Sequence, residues 1–233
     1  MRTTTGRLDR QAVQRARQRI LRSSDRFWTI ADINTPPSTA QHLFADLRQQ
    51  GELRRIRKGL YWRGVKTPLG MAPPRPEVLA SRIAEGKGTG PAGLSAANML
   101  RLSTQIPRRA EYAVVGRPPA DGNGLRFVSR SARRGRADSE LNQFEVAALE
   151  VLDGWNQLIE MMPDEAMTRL VGLVRSGAIS ADRLAKASET EPASARARLK
   201  YLLGRSGHAD LADTVSRPDP RTEAKALEEL VRA

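Results

Sequence analysis

The chain has 233 residues, with 39 Lys and Arg against 26 Asp and Glu, and its formal net charge is +13. Hydrophobic residues make up 39 % and aromatic residues only 4 %, so we expect cores of Leu, Ala, Val and Ile, a composition that favours helices. The lack of cysteine excludes disulfides and cysteine nucleophiles. No apolar run reaches the roughly 18 residues that cross a bilayer, and no signal-peptide pattern is visible, so we expect a cytoplasmic protein without membrane partners.

The positive charge is concentrated at the start of the chain. Residues 1–66 contain 15 basic and 5 acidic residues, and residues 67–140 contain 12 and 6. Residues 141–233 contain 12 basic and 15 acidic residues. A cationic surface attracts polyanions and releases their counterions on binding, so a nucleic-acid partner is expected at the first segment.

The first segment begins with helical periodicity. Apolar residues recur at helical spacing from Leu8 to Leu21, with arginines between them. The Ser23-Ser24-Asp25 run ends this helix. Thr29 is a suitable N-cap for a short helix over Ile30–Ile33.

A second helix and a basic hairpin follow. Asn34 to Ser38 form a turn whose prolines suit a first helical turn, and the helix runs to about Gln50, where Gly51 stops it. Short apolar-containing stretches flank a basic turn at Gly59, which indicates a hairpin over residues 53–63. We expect one helix face to pack inward through Ala40, Leu43, Phe44 and Leu47.

Helix, short helix, turn, helix and hairpin is the order of a winged helix-turn-helix. The second helix of such a pair enters the major groove and reads base edges, and hairpin cations suit phosphates. The alternative is a helical module that packs against another protein. The predicted DNA-binding residues are Ser38, Thr39, Gln41 and His42 on the helix, with Arg54, Arg55, Arg57 and Lys58 on the hairpin.

The middle segment mixes helices and strands. Ser103-Thr104-Gln105 are interpreted as structural or interfacial hydrogen-bonding residues. The Gly- and Arg-rich stretch 117–136 is interpreted as exposed loop charge, with phosphate binding as the alternative. Helices are predicted over Pro76–Glu85, with Val78, Leu79 and Ile83 inward, over Leu94–Leu100 and over Ser139–Trp155, and strands over Glu111–Gly116 and Leu125–Ser129.

Two stretches resemble the AbiEi family of antitoxins. The run Gly51-Glu52-Leu53-Arg54-Arg55-Ile56-Arg57-Lys58-Gly59-Leu60-Tyr61 is similar to the wing of that family. The run Leu94-Ser95-Ala96-Ala97, followed by Leu102-Ser103-Thr104-Gln105-Ile106-Pro107, is similar to the second signature of these antitoxins. The resemblance covers roughly residues 8–155, and the tail departs from it.

The resemblance implies a specific biology. Such antitoxins bind inverted repeats upstream of their own operon, repress it, and oppose a co-encoded toxin of the nucleotidyltransferase type. Their N-terminal domain binds DNA and their C-terminal part carries antitoxicity. A stand-alone winged-helix regulator or a mobile-element protein without a toxin is the alternative, and a homodimer or cooperative monomers are expected on a paired operator.

The rest of the chain is predicted to be helical and shows no catalytic pattern. Asp164-Glu165 fit a helix start, and Ser180 fits an N-cap before residues 181–187. A further helix is predicted over residues 192–203. The two helices, 181–187 and 192–203, also resemble a helix-turn-helix, although a plain helical bundle is the preferred interpretation. The only histidines, His42 and His208, are far apart, and no metal spacing, phosphate loop or nucleophile elbow is present. We therefore expect no enzyme activity, cofactor or metal.

The predicted fold is mainly α with small β elements. Three segments are expected: a winged helix-turn-helix over 1–66, an α/β segment over 67–155 and a helical C-terminal region over 156–233, with a terminal helix over Arg221–Val231.

Overall fold

The computed structural model describes residues 3–84 and 86–230, with side chains from Arg10 onward. These residues form two compact units, Met1–Arg75 and Pro76–Ala233. Helices dominate and the sheets are small, which confirms the predicted fold class. The segments 67–155 and 156–233 both contribute residues to one hydrophobic cluster of the second unit. Among the described helices, none is long and apolar enough to cross a membrane.

The first unit has the element order of a winged helix-turn-helix. Its three-stranded antiparallel sheet has the order β1-β3-β2. The predicted short helix is a single 3-10 turn, and β1 is a strand that the sequence pattern did not predict. The elements are α1 (Thr3–Leu21), β1 (Arg26–Thr29), the 3-10 turn (Ile30–Asp32), α2 (Pro37–Gln49), β2 (Arg54–Arg57), β3 (Leu60–Arg63) and a second hairpin, β4 (Lys66–Thr67) and β5 (Gly70–Met71).

The core of this unit holds α2 against α1 and the sheet. Trp28 of β1 is fully buried, and its indole Nε1 donates to the Ser23 Oγ at 3.0 Å. Phe44 of α2 stacks on Tyr61 of β3, with ring centroids 4.7 Å apart. Burying large aromatic side chains is a strong stabilising contribution in a unit of this size. The remaining buried members of this cluster are Ala16, Ile20, Ile33, Ala40, Leu43, Leu47 and Leu53.

The second unit is a helical body with a small sheet. β6 pairs with β7 antiparallel, and β7 pairs with β8 in parallel, although only residues 115–124 connect the last two strands. Its elements are α3 (Pro76–Ile83), β6 (Gly90–Pro91), α4 (Gly93–Met99), β7 (Ala110–Val114), β8 (Leu125–Ser129), α5 (Gly135–Asp138), α6 (Gln143–Asp153), α7 (Trp155–Leu158), α8 (Pro163–Arg175), α9 (Ala181–Ala187), α10 (Ala193–Ser206), α11 (Ala209–Thr214) and α12 (Pro220–Glu228).

Helix α6 is the centre of this unit, since every residue from Glu145 to Leu152 is buried. The prediction of one helix starting at Ser139 is wrong. Glu140 has a left-handed φ of 52°, which interrupts a helix, and Asn142 is the N-cap of α6. Its side chain accepts from the Glu145 N–H at 3.0 Å, and the Glu145 carboxylate accepts from the Asn142 N–H at 2.9 Å.

Several other predictions from the pattern can be compared with the structure. Ser180 caps α9 by accepting from the Arg183 N–H at 3.3 Å, which confirms that prediction. Val78, predicted to face inward, is exposed. The buried residues of its helix are Leu79, Ala80 and Ile83. The predicted helix ends at Glu85 and Val231 lie outside the described residues.

Candidate nucleic-acid interface

The exposed face of α2 carries the residues predicted to read bases. Ser38, Gln41 and His42 are exposed and Thr39 is half-buried. The predicted inner face, Ala40, Leu43, Phe44 and Leu47, is buried, which confirms the predicted orientation of the helix. The polar face is therefore presented to solvent by a helix fixed from behind.

In the part of the chain that the structure describes, the start of α2 has no side-chain cap. Pro36 is the N-cap and forms no side-chain capping bond, and Pro37 occupies the first turn. The first turn also contains no acidic residue. Because the N-terminus of a helix carries a partial positive charge and unpaired donors, this end of α2 favours an anion such as a phosphate.

The spacing along α2 extends the predicted set. Ser38, His42, Ala45 and Gln49 recur at four, three and four residues, so they form one line along the centre of the exposed face. Arg48 is exposed beside them. The sequence reasoning missed Arg48 and Gln49, although the same helical spacing measured from Ser38 identifies both.

The wing is the hairpin formed by β2 and β3, whose two-residue turn is Lys58-Gly59. Gly59 has a φ of 78°, a conformation that glycine adopts without strain. The register shifts between Arg55 and Arg57, and Ile56 at this bulge is buried. The predicted DNA-binding residues of the wing, Arg54, Arg55, Arg57 and Lys58, are exposed.

The nearest acidic side chain in the sequence does not neutralise the wing. Glu52 is paired with Arg63, with a nitrogen–oxygen distance of 3.2 Å, and with Lys66. Within the part of the chain that the structure describes, Arg54 and Arg55 form no ion pair. Their charges are therefore available to a polyanion.

The stretch Ser103-Thr104-Gln105, part of the second run that resembles the antitoxin family, has a structural role in the second unit. The Glu160 carboxylate accepts from the Ser103 Oγ at 2.8 Å and from the Thr104 N–H at 2.7 Å. The Thr104 N–H, the Ser103 hydroxyl and Gln105 hold the pKa of Glu160 at about 2. These bonds fix the loop and leave Ile106 at its tip 86 % exposed.

The arginines of the stretch 117–136 are the largest departure from the sequence interpretation. Arg136 is fully buried, and its guanidinium donates to Glu191 at 2.6 and 2.8 Å and to Glu150 at 2.6 Å. Arg130 and Arg133 also donate to Glu150. The prediction of exposed loop charge is therefore wrong for these three residues. Arg117, Arg126 and Arg134 of the same stretch are exposed.

The buried cluster holds Glu150 in its charged form. Burial acts to raise the pKa of Glu150, but hydrogen bonds and charges from Arg130 and Arg136 outweigh it and keep the pKa below its ordinary value. Burial likewise acts to lower the pKa of Arg136, but hydrogen bonds and charges from Glu191 and Glu150 outweigh it and raise the pKa. Because these cations are already paired inside the unit, they do not form a phosphate site.

In the second helix-turn-helix-like pair, α9 and α10, two basic residues of α10 are already paired within the unit. Arg198 is buried, and its guanidinium donates to the Leu152 carbonyl at 2.5 Å and to Glu229. Lys200 donates to the Ala212 carbonyl at 2.9 Å. Arg198 and Lys200 thus hold neighbouring helices together, as in the preferred helical-bundle interpretation.

No group of three or more His, Cys, Asp or Glu side chains that could hold a metal ion occurs among the described residues. His42 lies on α2, and His208 precedes α11 in the other unit. The two histidines therefore form no shared site within either unit.

The chain is similar to the RV2827C protein from Mycobacterium tuberculosis, with 21 % sequence identity and a TM-score of 0.47. The match covers 92 % of this chain and 81 % of that chain. No family model matches the chain, and no curated protein matches it.

Proposed function

We propose that this protein is a DNA-binding transcriptional repressor whose first unit binds double-stranded operator DNA. One observation carries the proposal: the solvent-facing side of α2 and the adjacent wing together present hydrogen-bonding side chains and exposed cations, while the helix is fixed from behind by Phe44 and its neighbours. Amide, hydroxyl and imidazole groups match base edges. Exposed arginines match phosphates.

In this proposal the two elements have different tasks. Gln41 and His42 reach base edges in the major groove, because they lie near the N-terminal end of α2, the part of a recognition helix that contacts bases. The wing arginines contact the backbone or enter the minor groove. Operators of such modules are often paired half-sites, so two copies are expected on one operator.

The antitoxin role is the further part of the proposal and rests on the resemblance of residues 51–61 and 94–107 to the AbiEi family. In that role the protein represses its own operon and opposes a nucleotidyltransferase-type toxin encoded beside it. A stand-alone regulator with the same operator recognition is the competing function.

The experiment is a protection footprint on DNA upstream of the protein's own coding sequence. We expect protected paired half-sites with the natural protein and no protection with a Gln41→Ala, Arg54→Ala, Arg55→Ala variant. Protection that survives in the variant would remove α2 and the wing from the interface. Co-expression with the adjacent gene separates the two roles: rescue of growth supports the antitoxin, and an innocuous neighbour supports the stand-alone regulator.

A further inference from the structure

The second hairpin of the first unit, β4 and β5, presents an isolated apolar tip. Leu69 in its turn is 101 % exposed, so its side chain has no contact that shields it from water. A single exposed leucine is ordinary on a protein surface. The position of this one, beside the wing, is what requires an explanation.

The hairpin is fixed to the winged-helix sheet. The Trp62 indole N–H of β3 donates to the Ala72 carbonyl at 2.9 Å, and the Ala72 N–H donates to the Val65 carbonyl at 2.9 Å. Inside the hairpin, the Thr67 hydroxyl donates to the Gly70 carbonyl at 2.8 Å. Lys66 is paired with Glu52, which precedes the wing. The tip therefore has a defined place relative to β2 and β3.

An open groove of about 730 Å³ separates the hairpin from the wing. Leu69, Gly70 and Met71 line one side. Among the described residues, no acidic side chain lines the groove. The other lining residues are Arg48 and Gly51 at the end of α2, and Leu53, Arg54, Arg55, Ile56, Arg57 and Lys58 of the wing.

We propose, resting on the DNA-binding function above, that this hairpin is a second DNA contact that inserts Leu69 into the minor groove. In this arrangement the phosphate backbone occupies the basic groove between wing and hairpin. Leu69, assisted by the rigid Pro68, packs against sugars and base edges and partly unstacks one base step.

The chemistry of the groove selects DNA as the occupant. Its wall of cations without acidic groups fits a polyanionic backbone, and an apolar side chain between base steps is a recurrent device of minor-groove proteins, which use Leu and Pro among their wedges. Insertion of this kind kinks the duplex, so the proposal predicts bent DNA in the complex.

The test uses the full chain with an operator duplex identified by the footprint. Fluorophores at the duplex ends report bending, and 2-aminopurine at successive steps reports unstacking. Leu69→Ala is compared with the natural protein and with Ile106→Ala, a matched loss of an exposed aliphatic side chain from the second unit. Because both side chains are exposed, neither substitution removes a core contact.

We expect Leu69→Ala to abolish the bend and the 2-aminopurine signal and to weaken binding roughly tenfold. The salt dependence stays the same because no phosphate contact is removed. Ile106→Ala behaves as the natural protein. If Leu69→Ala retains the bend and the 2-aminopurine signal, whether or not binding weakens, the minor-groove wedge is overturned while the proposed function stands. If the natural protein gives no footprint on DNA, both are overturned.

Discussion

Phe44 and Tyr61 stack almost parallel, with an interplanar angle of 8° and a centroid separation of 4.7 Å. Phe44 belongs to α2 and Tyr61 to β3, so this contact joins the candidate recognition helix to the wing. The stack fixes the spacing between the two surfaces that the proposed function requires to act together on one DNA duplex.

Removing this contact tests how the first unit is held together. Phe44→Ala is expected to cost about 3–5 kcal/mol, because it empties a fully buried aromatic site. Hydrogen exchange followed by mass spectrometry is expected to show faster exchange in residues 37–63 and unchanged exchange in residues 143–206. Phe144→Ala, which removes an exposed phenylalanine from the second unit, is the control. Equal exchange in both variants would show that the stack does not support α2.

If α2 reads bases, substitutions on its exposed face should reduce the preference for operator DNA over random DNA. Gln41→Ala and His42→Ala are each expected to weaken operator binding by about 1–3 kcal/mol and to change binding to random DNA much less, because base contacts exist only on the operator. The measurement is a pair of binding titrations, with operator and with random duplex. Gln14→Ala on α1 is the matched control, since Gln14 is an exposed glutamine outside the set of residues predicted to bind DNA. Equal losses on the two duplexes would assign these residues to backbone contacts.

The arginine cluster of the second unit predicts acid sensitivity. The pKa of Glu150 is lowered in the folded state, so its contribution to stability is complete above its ordinary pKa and is lost as the pH falls through the lowered value. Glu150→Gln removes a carboxylate that Arg130, Arg133 and Arg136 share. Arg130 then loses its ion-pair partner, while Arg136 keeps Glu191 and Arg133 keeps Asp153. We expect the substitution to destabilise the unit by about 3–5 kcal/mol at neutral pH.

The measurement for this prediction is denaturant unfolding of the full chain between pH 7 and pH 3. The Glu150→Gln variant should be less stable at pH 7 and should lose less additional stability on acidification. Glu189→Gln, which changes an exposed carboxylate, is the control. A variant that parallels the natural protein at every pH would show that Glu150 does not carry the acid dependence.

The local signals of the first unit were sufficient to predict α2 and the wing. Pro37 and Gly51 mark the helix boundaries, and the periodicity of Leu43 and Leu47 fixes its buried face. β1 was not predicted because it has only four residues, and its partner β3 lies more than thirty residues further along the chain. A strand this short is defined by its pairing, which a linear pattern does not record.

The same reason explains the misinterpreted arginines. Arg136 lies in a Gly- and Arg-rich stretch that reads as a solvated loop, while its partners Glu150 and Glu191 are 14 and 55 residues away in the sequence. Only the folded unit brings them together. Asn142 and Glu145, by contrast, form a capping box whose spacing is local and readable, and this signal identifies the true start of α6.

The central claim is that exposed wing arginines bind DNA phosphates, and the salt dependence of binding tests it most directly. Affinity of the full chain for an operator duplex is measured across a range of salt concentrations for the natural protein, for Arg54→Ala/Arg55→Ala, and for Arg108→Ala/Arg109→Ala as an exposed pair from the second unit. The logarithm of the binding constant should fall less steeply for the wing variant, by about two units of slope, and the control pair should match the natural protein. An unchanged slope for the wing variant would contradict the account.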